Sequence, residues 1–87
     1  MSMPPVYQSQ IEAQKLEIES TKVAMQDLEK NIQDAKLLYE AGSISKSELD
    51  NLELSYEQLQ IKKSAQEKQL NLIYEQDNVP VRFIYLI

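Results

Sequence analysis

The sequence predicts an all-α fold: a two-helix antiparallel coiled-coil hairpin with a short irregular or β-like C-terminal tail. Three observations carry that expectation. Gly42 is the only glycine among 87 residues, and no proline lies between Pro5 and Pro80. The chain therefore has one break near its midpoint, with good helix formers on both sides. Apolar residues recur in steps of three and four through both arms, the spacing of a coiled-coil seam. A helix start signal follows the glycine almost at once, which leaves only enough chain to turn back.

Residues 1–5 read as a leader or tag, and residues 6–76 as the hairpin. Pro4 and Pro5 suit the first turn of a helix, where a missing N–H costs nothing. The first helix is expected over residues 6–41. Its seam residues are Ile11, Ile18, Met25, Ile32 and Tyr39, with companions at Tyr7, Gln14, Thr21, Leu28 and Ala35. Residues 42–44 form the tip. Gly42 suits the left-handed conformation that ends a helix, which it adopts without a Cβ clash. Ser45 and Glu48 then form a capping box. The Ser45 hydroxyl accepts from the Glu48 N–H while the Glu48 side chain reaches back. The second helix is expected over residues 45–76, with its seam at Leu49, Leu52, Tyr56, Leu59, Lys63, Gln66, Leu70 and Ile73.

Folding the arms about the tip sets Ile32 beside Tyr56, Leu28 beside Leu59 and Ile18 beside Leu70. Thr21 falls beside Gln66 and Met25 beside Lys63. The middle of the seam is thus polar on one side, a feature that lowers stability and fixes register. Leu16, Val23 and Leu37 in the first arm, and Leu54, Ile61 and Leu72 in the second, lie off the seam. They predict a second adhesive face and self-association of hairpins. Residues 77–87 are rich in β-branched and aromatic side chains and read as a strand, although nothing in the two arms can pair with it.

Composition narrows the function. A formal net charge of −5 argues against nucleic acid and anionic membrane surfaces, which need clustered Lys and Arg. Lys62-Lys63 is too short a basic run to reverse that. There is no Cys and no His, so thiolate chemistry and the commonest general base and metal ligand are missing. Glu17, Glu19, Asp50, Glu53 and Glu57 are the carboxylates an acid–base or metal reading would use. Glu53 and Glu57 lie one turn apart, but carboxylates on a helix surface normally pair with lysine or water. No apolar run reaches the roughly 20 residues of a membrane helix. Residues 1–5 lack the basic and apolar regions of an export signal. The segment reads as non-catalytic, with no metal, no cofactor, no nucleic-acid partner and no small-molecule substrate.

Three stretches resemble the periplasmic adaptors, or membrane fusion proteins, of multidrug efflux pumps and haemolysin-type secretion systems. Tyr7-Gln8-Ser9-Gln10-Ile11-Glu12-Ala13-Gln14 is similar to the opening of that family's α-hairpin. Leu38 to Asp50, with Ala41-Gly42-Ser43-Ile44-Ser45-Lys46-Ser47-Glu48-Leu49-Asp50, is similar to its tip. Leu70-Asn71-Leu72-Ile73-Tyr74, followed by Pro80, is similar to its return into the lipoyl domain.

The resemblance implies a transport role. The hairpin would link an inner-membrane transporter to an exit duct at the periplasmic or extracytoplasmic face of the membrane. Several copies would pack side by side, with an outer-membrane channel as a further partner of the full-length protein. It also implies a partner-docking tip at Asp34, Leu38, Gly42 and Ser45. Leu38 and Ser45 occupy the family's docking Leu and Ser positions, whereas Asp34 stands where docking members carry Arg. That substitution reverses a charge. Read without the resemblance, Ser45 is a helix cap, Leu38 packs at the seam edge and Asp34 is a solvated helix residue. The family's usual Gly after the Pro is also missing, with Val81-Arg82-Phe83 there instead. Two alternatives fit parts of the pattern: the helical hairpin of an outer-membrane channel, and a generic coiled-coil oligomerisation or scaffold module.

Overall fold

A computed structural model describes the backbone of residues 5–86 and the side chains of residues 7–76. Two helices run antiparallel: α1 (Pro5–Glu40, 36 residues) and α2 (Lys46–Leu86, 41 residues). Together they form a rod with extents of 67 × 23 × 12 Å. The observed helix ends by the turn lie one residue from the expected ones, within the ordinary scatter of helix boundaries.

The seam follows the sequence pattern closely. Every seam position read from the heptads is buried or half-buried except Tyr39, and the only other shielded residue among 7–76 is Ile44. Tyr39 is 40% exposed. At the turn, Ile32, Ala35 and Leu49 form one buried cluster, with Leu28, Ile44, Leu52 and Tyr56 packed against it. Ile44 therefore closes the seam where Tyr39 was expected to do so. The chain reverses direction just after Tyr39, and the short return carries Ile44 back over the last layer. At the open end Ile11 and Ile73 are buried in turn. Among the described residues no side chain is completely enclosed. Two helices shield a seam from water without making a core, so burial alone gives this hairpin little stability.

Midway along the rod the seam is polar, as the paired positions predict. Thr21 is buried. Its hydroxyl lies 2.7 Å from Gln66 Oε1 on α2 and 3.1 Å from the Glu17 carbonyl on its own helix. With one proton, the hydroxyl serves one acceptor at a time. Gln14 donates from Nε2 to the Gln66 backbone carbonyl at 2.9 Å. Lys63, half-buried at the next seam position, reaches out to Glu67 at 3.8 Å. That pair is largely solvated and contributes little. Among the described residues no buried side-chain polar atom lacks a partner, so the polar layer is satisfied.

The tail differs from the expected strand. The backbone stays helical from Lys46 through Leu86, and no strand forms among the described residues. A strand needs a neighbouring edge to take its N–H and C=O groups, and the arms offer none. A helix already nucleated upstream satisfies its own groups and adds each residue at small cost. Pro80 leaves one rung of that ladder unmade because it has no N–H. The expected leader lies, apart from Pro5, outside the described residues; Pro5 itself opens α1.

Candidate functional site

The tip is built by two local signals that meet. At the end of α1 the Gly42 N–H donates to the Tyr39 carbonyl at 2.9 Å, and the Ser43 N–H donates to the Leu38 carbonyl at 2.8 Å. This nested pair is the Schellman arrangement, which needs a left-handed residue at its centre. Gly42 supplies it with φ 77°. Three residues on, the Glu48 N–H donates to Ser45 Oγ at 3.1 Å, and the Leu49 N–H donates to the Ser45 carbonyl at 3.3 Å. Ser45 is therefore the N-cap of α2. No return bond from the Ser45 N–H to the Glu48 carboxylate is found among the described residues, so half of the capping box forms. Gly42, Ser45 and Glu48 all take part in capping, and few degrees of freedom remain in the turn.

Beside this turn a groove of about 500 Å³ lies between the two helices. Asn31, Asp34, Ala35 and Leu38 line it from α1, Ile44 from the turn, and Glu48, Asn51, Leu52 and Ser55 from α2. Ala35 is buried, Ile44 and Leu52 are half-buried, and Leu38 is 47% exposed. The groove thus has an apolar floor, an exposed leucine as one wall, and a carboxylate from each helix. Of the four docking residues named from the sequence, Asp34 and Leu38 meet in this groove. Gly42 and Ser45 shape the turn beside it and do not line it. Glu48 and Ile44, read from the sequence as capping and tip residues only, are also part of the surface. Ile44 follows Gly42 by two, where a Schellman end folds the chain back, and that is the signal that could have marked it.

A second surface lies along the rod. With seam positions labelled a and d, Leu16, Val23, Lys30 and Leu37 all take position f of α1, directly opposite the seam. Leu54, Ile61, Lys68 and Glu75 take position f of α2. Leu16 is 72% exposed, Leu37 66%, Ile61 63% and Leu54 51%. Such positions are normally solvated and polar. Here both outer faces carry large apolar residues at heptad spacing.

Glu17, Glu19, Asp50, Glu53 and Glu57 are all exposed, and no group of acidic, histidine or cysteine side chains among the described residues could hold a metal ion. No helix among the described residues is long and apolar enough to cross a membrane. The chain matches no protein-family model, no curated protein and no solved structure.

Proposed function

We propose that this hairpin is the non-catalytic spacer and docking arm of a membrane fusion (periplasmic adaptor) protein. It would link an inner-membrane transporter to an exit duct, working beside other copies of itself at the extracytoplasmic face of the membrane. The resemblance at the opening, tip and return of the hairpin supports this reading. The observation that carries it is the relation between the two outer faces.

Ile32 with Tyr56 and Ile18 with Leu70 line common hollows on the rod, so Thr21 and the Gln66 it bonds to lie at about the same height. Counting away from that pair in opposite senses along the helices sets Ile61 level with Gln26, and Leu54 level with Gln33. When a second copy lies alongside with its tip at the same height, the outer residues interleave. Val23, Ile61 of the second copy, Lys30, Leu54 of the second copy and Leu37 follow one another in steps of three and four. That is the ladder of an antiparallel coiled coil. Two of the three charged outer positions agree with it, Lys30 level with Glu57 and Lys68 with Glu19, while Glu75 is level with Glu12. A contact that joins the α1 back of one copy to the α2 back of the next is heterologous, and repeats into a ring or row. A solitary hairpin has no use for such faces.

The chain has no cysteine, so single Val23→Cys and Ile61→Cys variants test the arrangement cleanly. Oxidising a mixture of the two should cross-link them, while each variant alone should not dimerise. Cross-linking of Val23→Cys with itself as efficiently as in the mixture would point to a symmetric bundle and overturn the side-by-side reading. In the gene, sequence flanking the segment should encode the two halves of a lipoyl domain and β-barrel segments. A gene without them leaves a generic coiled-coil module.

A further inference from the structure

The two flanks of the seam near the turn differ. On one flank the groove has Asp34 on its α1 bank and Glu48 on its α2 bank, above a floor of Ala35, Ile44 and Leu52, and no cationic residue lines it. On the other flank the hollow at a similar height is half the size, about 250 Å³. Lys36 stands there among Glu29 and Glu53, beside the half-buried Tyr56. One flank is an open apolar trough with a single sign of charge, and the other is smaller and mixed in charge.

We propose that the trough seats a helix of a partner protein that presents one or two apolar side chains bordered by lysine or arginine. The proposal rests on reading the tip as the docking end of the arm. An apolar anchor would gain by leaving water against Ala35, Ile44 and Leu52, with Leu38 closing over it. Cations on either side of the anchor would meet Asp34 on one bank and Glu48 on the other, which fixes the orientation of the incoming helix. An acidic partner is rejected by the same two carboxylates. A third helix is the natural occupant because the trough runs between two helices, and helix-in-groove docking uses apolar anchors at i, i+3 and i+7. A second copy of this chain is a poor occupant. Meeting tip to tip, it would set Asp34 and Glu48 against their own counterparts.

The test uses the full chain and two synthetic amphipathic peptides. Each carries leucines at i and i+3, flanked in one by lysines and in its twin by glutamates. Binding is read from amide chemical shifts and from affinity at low and physiological salt. The lysine peptide should perturb Asp34, Leu38, Glu48 and Leu52, and should weaken as salt rises. The charge-reversed chain Asp34→Lys/Glu48→Lys should bind the lysine peptide about tenfold or more weakly, and the glutamate twin better. Both substituted positions are exposed, and far-UV ellipticity checks that the helices persist. The neutral pair Asp34→Asn/Glu48→Gln should give an intermediate loss. No binding of the lysine peptide, equal binding to the charge-reversed chain, or perturbation confined to Leu16 and Leu54 would each overturn the proposal. If groove binding fails while the Val23→Cys and Ile61→Cys mixture still cross-links, the groove proposal falls and the adaptor reading stands. The opposite pattern removes the adaptor reading and leaves the groove.

Discussion

Gly42 is held at φ 77° with open space around the place a Cβ would occupy. Replacing it therefore meets no steric neighbour, and the whole penalty is that of a left-handed backbone. Gly42→Ala should lower stability by about 1 kcal/mol, and Gly42→Asn by less, since Asn tolerates that conformation. Ser45→Ala removes the acceptor of the Glu48 N–H and should likewise cost about 1 kcal/mol. Urea midpoints followed by helical ellipticity at a fixed chain concentration measure both changes. Leu38 is bound up with the same turn, because its carbonyl closes the Schellman pair while its side chain walls the groove. Side-chain changes at Leu38 should thus alter the groove and leave the turn intact.

At the scale of the helices, the seam and the outer faces should respond in opposite ways to truncation. Ile32→Ala removes a buried methyl-rich side chain from the cluster at the turn and should cost about 2–3 kcal/mol. Leu16→Ala, at an exposed outer position, should change the stability of the hairpin itself by no more than about 0.5 kcal/mol. Replacing the polar layer, Thr21→Val with Gln66→Leu, should raise the unfolding midpoint and broaden the range of association states, because satisfied polar layers fix register at a cost in stability. Unfolding curves and sedimentation equilibrium separate the two effects. The seam was legible in the sequence because a period of three and four is a property of a single helix and survives any neighbour. Ile44 for Tyr39 was not, since it depends on how the returning chain crosses the end of α1. Residues 77–86 misled for a related reason. Strand preference is a preference for a pleated neighbour, and here the neighbour is a helix already under way. The groove was legible only as single residues. Asp34 and Leu38 could be named, but their meeting with Glu48 and Ile44 depends on two helices converging.

For the molecule as a whole, the proposed side-by-side assembly makes the outer faces the determinant of the association state. The proposed assembly predicts that the variant with Leu16, Val23, Leu54 and Ile61 all changed to Ser keeps its helical ellipticity and sediments as a monomer. The parent chain should show concentration-dependent mass. The rod is also fastened at two places, by the capped turn and by the bonds that Gln66 makes across the seam with Thr21 and Gln14. One helix cannot slide past the other without breaking both. In the proposed arm, a push at the open end would therefore reach the tip as a swing or a tilt of the hairpin, with the capped turn keeping its form. Such an arm would behave as a pointer whose aim can be altered and whose end keeps its form.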